Sequence, residues 1–209
     1  MNREDERKMY HNRVDSDYLC PVSEVFAEDD KYMLSRYEKT DRDLYMQVWK
    51  ESFEGTSVYE DEDFKQKLWK EVLSNSNKLQ LKIINKKSKI YVGEIMLMNL
   101  VSDTPEIGIQ ILRKYQGQGI GTRVTKLFVD GLREVLDVEY YRVRIRSDNY
   151  ISQKMFEKMG AVKIGTEGKE YAELMNKIMK QIGRDAFEEV ITKEFEETQR
   201  YIICYKLEG

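Results

Sequence analysis

The feature that most constrains this chain is a run of alternating glycines at residues 116–121, which reads QGQGIG. Alternating isoleucines precede the run and predict a strand, and apolar residues with helical spacing follow it from Val124 to Leu132. Glycine allows left-handed backbone angles and has no Cβ, so several loop N–H groups can converge on an anion. The helix predicted to begin at Thr122 adds unpaired N–H groups and about half a positive charge. This strand–loop–helix unit predicts a pyrophosphate site.

The spacing of the glycines distinguishes this loop from two common phosphate-binding loops. A nucleotide-hydrolase loop requires GxxxxGK followed by Ser or Thr, and residues 116–122 contain no lysine. The dinucleotide fingerprint GxGxxG is not matched either, because the glycines follow the pattern GxGxG. Gln116, Gly119 and Gly121 instead fit the pattern Q/RxxGxG/A. In this respect the stretch resembles the pyrophosphate loop of the GNAT superfamily of N-acetyltransferases.

The segments around the loop resemble the same family. Residues 105–121 are similar to its fourth strand running into the loop, although Arg113 stands where a proline is frequent. Residues 140–161 are similar to its fifth strand, its Asn-led fourth helix and the turn that follows, where Ala161 replaces the usual aromatic residue. The resemblance implies an α/β (α+β) fold, in which a mixed, mostly antiparallel central sheet is flanked by helices.

The expected organisation is an arm followed by one domain. Residues 1–30 are charged and contain few apolar anchors, which predicts an N-terminal arm. Residues 31–209 are expected to form a single GNAT-like acetyltransferase domain. Two amphipathic helical patterns predict a helical insertion at about 166–199. The last strand is predicted to follow it at 201–207. The insertion could cover the acceptor cleft, contact a second subunit in a homodimer, or pack onto its own domain.

Composition excludes several classes of function. Lys plus Arg number 35 against 38 Asp plus Glu, and the net charge of −3 argues against nucleic acid and for a small or cationic partner. The single histidine, His11, lies in the charged tail, which argues against histidine-based nucleophilic catalysis. Two cysteines far apart in sequence argue against a disulfide framework or a zinc site. Without a secretory signal or an apolar run of about 18 residues, we expect a soluble, cytoplasmic protein that does not bind membranes.

The resemblance implies that acetyl-CoA is the co-substrate and that no metal takes part. Main-chain groups near Ile111 and Leu112 are expected to pair with the pantetheine arm. Asn149 keeps the family's position for binding this arm, and Phe156 is expected at the cofactor in the place of the family's usual tyrosine. The residues expected at the pyrophosphate are Gln116, Gly117, Gln118, Gly119, Ile120, Gly121 and Thr122.

Acetyl transfer to an amine requires a base. An alkyl amine with a pKa of about 10.4 is neutral in only about one molecule in a few thousand at pH 7. By resemblance the first candidate base is Glu106, which opens the fourth strand, and the second is Glu94 on the preceding strand. Because Phe156 lacks the family's phenol, Ser152 is the candidate donor to the leaving sulfur, as in the branch that acetylates ribosomal-protein N-termini. Tyr150 is another possible donor.

The sequence therefore predicts an acetyl-CoA-dependent N-acetyltransferase. It should move the acetyl group to a primary amine, in a small molecule or at a protein N-terminus, by direct attack in a ternary complex. The alternative is a catalytically silent acyl-CoA-binding sensor or interaction module, which would keep the same glycine loop.

Overall fold

The computed structural model describes residues 14–22, 24–52, 61–169 and 201–208. They divide into two compact units, of which the first ends at Tyr141 and the second spans Arg142–Glu208. Among the described helices, none is both long enough and apolar enough to cross a membrane.

The first unit is built on strands that pair in chain order, each antiparallel to the next. Their side chains alternate between the two faces of the sheet, so that Leu79, Leu81 and Ile83 of the third strand are fully buried. The strands are β1 (Val25–Glu28), β2 (Tyr32–Arg36), β3 (Lys78–Asn85), β4 (Ile90–Met98) and β5 (Glu106–Ile111).

Two helices of the first unit begin at an aspartate whose side chain accepts a hydrogen bond from a free N–H group of the first turn. Asp15 accepts a hydrogen bond from the first turn of one helix, and Asp61 does the same for another. The helix after the glycine loop begins instead after a left-handed glycine, Gly119. The helices are α1 (Ser16–Leu19), α2 (Arg42–Ser52), α3 (Glu62–Ser74) and α4 (Ile120–Arg133).

Aromatic side chains form much of the core of this unit. Tyr45 of α2 and Trp69 of α3 lie 5.7 Å apart between ring centroids, with their planes tilted by 40°, and Tyr37 meets both rings edge-on. On α4, Phe128 packs at 5.4 Å against Phe26 of β1. These contacts attach α2, α3 and α4 to the sheet.

An extra residue in β4 changes which side chains share a face. Ile83 pairs with Gly93 and Ile84 pairs with Tyr91, so Val92 bulges out of the ladder. Simple alternation would place Tyr91 and Glu94 on opposite faces. The bulge places them on the same face, where Tyr37 reaches both.

The second unit contains β6 (Tyr141–Arg146), α5 (Tyr150–Lys158), β7 (Val162–Glu167) and β8 (Ile202–Leu207). Here β8 lies between β6 and β7, and β7 pairs with it in antiparallel fashion.

The predicted fold class is confirmed, because antiparallel strands predominate and helices flank them. Within the predicted arm of residues 1–30, however, the structure contains α1 and β1, and β1 pairs with β2. Much of the predicted insertion, residues 170–200, lies outside the described residues, and its first residues belong to β7. The division into an arm and one domain stays a prediction.

Candidate active site

The glycine loop joins β5 to α4 through two left-handed residues. Gly117 has a φ of 72° and Gly119 a φ of 75°, angles that other residues adopt at a cost. A Cβ built at either position meets no atom within 4 Å. Glycine is therefore required by the backbone angle, and the space beside the loop stays open.

The loop and the first turn of α4 present a set of backbone donors. The first α4 amide bonded to the protein is that of Arg123, which donates to the Gly119 carbonyl at 3.2 Å. Over the part of the chain that the structure describes, the amides of residues 117–122 donate to no protein acceptor. Consecutive donors at the positive end of a 14-residue helix suit a pyrophosphate.

The glutamine side chains of the loop bond to backbone carbonyls that precede the glycines. Gln116 Nε2 donates to the Ile111 carbonyl oxygen at 2.8 Å, and Gln118 Nε2 donates to the Lys114 carbonyl oxygen at 3.2 Å. Ile120 is buried, so only its amide is available to a ligand, whereas Thr122 is exposed. The two glutamine side chains thus help to set the shape of the loop.

The predicted pantetheine contacts are partly occupied by the protein itself. The Leu112 amide donates to Val92 at 3.0 Å, and the Leu112 carbonyl accepts from Tyr115 at 2.8 Å. The Ile111 carbonyl accepts the Gln116 side chain. Because successive amides of a strand point to opposite sides, the Ile111 amide points away from β4. It is the group of this pair best placed to meet another strand-like ligand.

Glu106 lies half-buried at the start of β5, directly opposite Met98 of β4, which in turn pairs with Lys78 of β3. Directly opposed residues project from the same face, so Lys78, Met98 and Glu106 form one row across the sheet. This row is at the end of β5 that lies away from the glycine loop.

Glu94, the second candidate base, is buried within a hydrogen-bonded cluster. Its Oε2 accepts from Tyr37 at 3.0 Å and from Gln80 Nε2 at 2.8 Å. The hydroxyls of Tyr37 and Tyr91 lie 2.8 Å apart. Glu94 also pairs directly with Gln110 on β5. Gln110 is the residue that precedes Ile111 and Leu112, the predicted pantetheine contacts.

Burial dominates the electrostatics of this cluster. It raises the pKa of Glu94, while the hydrogen bonds from Gln80 and Tyr37 and the nearby charge of Lys78 oppose the change. Burial also raises the pKa of Tyr37, and the adjacent Glu94 carboxylate reinforces that rise. At Lys78 burial lowers the pKa, against the attraction of Glu94 and Glu71. Glu94 is therefore a stronger base than an exposed carboxylate.

The remaining predicted site residues lie on α5 in the second unit. Asn149 caps this helix, because its Oδ1 accepts from the Ser152 amide at 3.1 Å. Ser152 is half-buried in the first turn, and Phe156 is buried in the middle of the helix. Tyr150, the other candidate donor, is mostly exposed.

The model of the acetyltransferase (GNAT) domain family matches residues 27–162. The chain belongs to the GNAT acetyltransferase family. It is therefore an acetyltransferase, and the family uses acetyl-CoA as its acetyl donor. The glycine loop of this GNAT enzyme, with its unbonded amides, fits that donor.

Solved structures share the fold of this GNAT enzyme. A chimera of the Vibrio cholerae spermidine N-acetyltransferase SpeG and hSSAT has a TM-score of 0.63 at 14% identity, over 84% of this chain and 94% of the chimera. A GNAT-family acetyltransferase from Bacillus anthracis has a TM-score of 0.61 at 16% identity, over 87% and 96%. A domain from Methanocaldococcus jannaschii has a TM-score of 0.58 at 20% identity, over 86% and 100%. No curated protein sequence matches the chain.

Sequence reasoning missed the polar cluster around Glu94 in this GNAT enzyme: Tyr37 and Gln80 bond to Glu94, Tyr91 bonds to Tyr37, and Lys78 lies nearby. A signal was present, because Gln80 is a polar residue between the buried Leu79 and Leu81. A buried amide must find hydrogen-bond partners, so its position could have indicated a polar cluster within the core.

Proposed function

We propose that this enzyme transfers the acetyl group of acetyl-CoA to a primary amine by direct attack in a ternary complex. The observation that carries the proposal is the set of amides at 117–122, which bond to no acceptor among the described residues. Left-handed glycines and the start of α4 hold these amides together, as a diphosphate requires.

The reaction removes one proton from the amine and replaces the carbon–sulfur bond of the thioester with a carbon–nitrogen bond. Acetyl-CoA supplies an activated acetyl thioester. The amine nitrogen bonds to the acetyl carbon, the carbon–sulfur bond breaks, coenzyme A leaves as a thiol, and the amine loses a proton. Holding an amine neutral at pH 7 costs roughly 4 to 5 kcal/mol, which a nearby base helps to offset.

Glu106 is the proposed base. It lies at the start of β5, the strand that leads into the glycine loop. The six residues of β5 span about 20 Å, so this length separates Glu106 from the loop. The thioester end of the donor is expected to reach along this strand from the loop. The acceptor would then enter from the opposite end, past Lys78, Met98 and Glu106. Such an arrangement lets both substrates be bound at once.

Residues of α5 complete the proposed mechanism. The Ser152 hydroxyl is the proposed donor to the leaving sulfur, and Asn149 and Phe156 are proposed to contact the cofactor. Because a thiol has an ordinary pKa of about 8.5, its thiolate leaves readily, and loss of Ser152 should reduce the rate without abolishing it.

The proposed acceptor is a small-molecule amine or a protein N-terminus. Ser152 supports a protein N-terminus, because the GNAT branch that acetylates ribosomal proteins has the same residue there. The similarity to SpeG adds spermidine to the acceptors that should be tried. The test is calorimetry with acetyl-CoA, followed by thiol release across a panel of amines and N-terminal peptides.

We expect micromolar binding of acetyl-CoA, thiol release with some amine, and loss of release in Glu106→Gln without loss of acetyl-CoA binding. The exposed Glu139→Gln serves as the control variant. Binding of acetyl-CoA without thiol release from any acceptor would indicate the silent sensor instead. Absence of binding would overturn both functions.

A further inference from the structure

A cavity lies between the α2–α3 helix pair and the start of β3, on the sheet face that carries Glu106. Its volume is about 220 Å³. Glu71 is exposed and Gln80 is buried, so the cavity runs from solvent down to the polar cluster of Glu94. The residues that line it are Tyr45, Trp49, Leu68, Glu71, Val72, Asn75, Lys78 and Gln80.

The floor of the cavity contains a buried acceptor that lacks a donor. Gln80 is 6% exposed, and its Nε2 donates a hydrogen bond to Glu94 at 2.8 Å. This hydrogen bond orients the amide and leaves Oε1 as its acceptor atom. Within the described ranges, that Oε1 is buried and has no hydrogen-bond donor. Buried acceptors without a donor are costly, and a ligand N–H group would satisfy this one.

The wall of the cavity contains a cation without a close counter-charge. Lys78 is half-buried, and none of the described carboxylates lies within 4.0 Å of its ammonium group. Glu71 and Glu94 act on Lys78 only at longer range. A partly desolvated ammonium with open hydrogen-bonding positions is suited to a ligand carboxylate.

One residue of the cavity wall, Lys78, lies in the same cross-strand row as the proposed base. Lys78 lies opposite Met98, and Met98 lies opposite Glu106, so two strand spacings of together about 10 Å separate the first residue from the last. Gly108 follows on the same face, beneath the Met96 and Met98 side chains. A short, extended molecule could therefore contact Lys78 at one end and present an amine near Glu106 at the other.

We infer that this cavity selects the acceptor, and that the acceptor is a small primary amine carrying a carboxylate at the far end of a chain of about five or six atoms. The inference rests on the proposed function. Lys78 binds the carboxylate, Gln80 Oε1 accepts a hydrogen bond from a polar N–H of the ligand where one is present, and the rings of Tyr45 and Trp49 cover the chain.

The experiment compares 6-aminohexanoate with hexylamine, which has the same amine and chain but no carboxylate, and with the methyl ester of 6-aminohexanoate. Thiol release is measured with saturating acetyl-CoA. We expect kcat/KM for 6-aminohexanoate to exceed that of the other two by about 10-fold or more, the size of a charge-assisted hydrogen bond. Spermidine, which has cations in place of the carboxylate, should also be a poor acceptor.

Substitution of Lys78 then tests the contact. Lys78→Met should lower kcat/KM for 6-aminohexanoate about 10-fold, mostly through KM, and should lower kcat/KM for hexylamine by much less. Lys78→Arg keeps the charge and should retain most of the preference. Lys70→Met, an exposed lysine on α3, is the matched control and should behave as the wild type. Affinity for acetyl-CoA, measured for each variant, reports that the fold and the donor site are intact.

Two outcomes would overturn the inference. The first is an equal kcat/KM for hexylamine and 6-aminohexanoate, with Lys78→Met lowering both values by the same factor. This result would mean that the cavity holds interior water only. Failure of 6-aminohexanoate to give a heat of binding to the acetyl-CoA-saturated or coenzyme A-saturated enzyme would have the same meaning. Either result can occur while other amines release thiol, so the proposed function would survive. Absence of thiol release with every amine would overturn both the proposed function and this inference.

Discussion

Gln116 Nε2 donates a hydrogen bond to the carbonyl oxygen of Ile111, at 2.8 Å, and so connects the glycine loop to the end of β5. The same carbonyl would otherwise be exposed beside the proposed pantetheine path. Because Gln116 bonds to the backbone, it positions the loop amides before a ligand arrives. Preorganisation of this kind lowers the free-energy cost of binding.

Gln116→Ala should therefore weaken the binding of acetyl-CoA while leaving the stability of the fold almost unchanged. A single hydrogen bond contributes about 0.5–1.5 kcal/mol, so the dissociation constant should rise about 2- to 10-fold in calorimetry. Lys126→Ala, on the exposed side of α4, is the control. Unchanged affinity in Gln116→Ala would show that the loop holds its shape without this bond.

The loop could be predicted from sequence because its geometry is local. Left-handed angles at Gly117 and Gly119 and the start of α4 follow from residues that adjoin one another. The free amides follow in turn, since every helix begins with unbonded N–H groups. Hydrogen bonds to distant partners are made by the residues on either side of the loop, where the Arg113 amide donates to Glu51 and the Arg123 guanidinium donates to Asp29.

The position of Gln80 could have indicated a polar cluster, but the residues that meet there could not be predicted, because Tyr91 joins Glu94 only through the bulge at Val92. Alternation along β4 would have separated Tyr91 from Glu94, and the sequence carries no local sign of the extra residue apart from Gly93. Of the partners of Glu94, Gln80 comes from β3 and Tyr37 from the residue after β2. β1 was missed for a similar reason, because Phe26 is held by Phe128 on α4, far along the chain.

Gly93→Ala should destabilise the first unit severely. Gly93 has a φ of +153°, and a Cβ there would lie 2.2 Å from the Gln110 carbonyl oxygen and 2.9 Å from Ile111 Cα. Both obstructing atoms are backbone, so β4 and β5 would have to separate. We expect a loss of about 2–5 kcal/mol from overpacking and backbone strain, measured by urea unfolding.

Gly165→Ala is the matched control for Gly93→Ala. A Cβ at Gly165 in β7 meets no atom within 4 Å, and its φ is not in the left-handed region. Its effect should stay within about 1 kcal/mol. Similar unfolding midpoints for the two variants would contradict the close approach of β4 and β5.

Glu94 should make stability depend on pH in an unusual direction for a carboxylate. Burial raises the pKa of the Glu94 carboxyl above its ordinary 4.5, so above that pH the folded protein retains a proton that the unfolded chain has lost. The contribution to stability is complete below pH 4.5 and is lost as the pH rises through the folded-state pKa. The slope cannot exceed about 1.4 kcal/mol per pH unit.

Glu94→Gln should remove this dependence, because glutamine is neutral at every pH and can still accept from Tyr37 and Gln80. Urea unfolding of the wild type and of Glu94→Gln between pH 4 and pH 8 measures the pH dependence of their stability. The stability of the variant relative to the wild type should increase with pH and then level off. The exposed Glu139→Gln controls for general charge effects. Parallel pH profiles of Glu94→Gln and the wild type would show that the carboxyl titrates as it does in the unfolded chain.

Asn149 combines a structural contact with a proposed functional one, and two substitutions separate them. Its Oδ1 caps α5 through the Ser152 amide at 3.1 Å, whereas its side-chain nitrogen bonds to no acceptor among the described residues and is the proposed contact with the cofactor arm. Asn149→Ala should cost about 1 kcal/mol of stability by loss of the cap. Asn149→Asp keeps a capping oxygen and removes the N–H donor. We expect Asn149→Asp to unfold like the wild type but to bind acetyl-CoA several-fold more weakly, by calorimetry. Wild-type affinity in Asn149→Asp would limit Asn149 to its role as a helix cap.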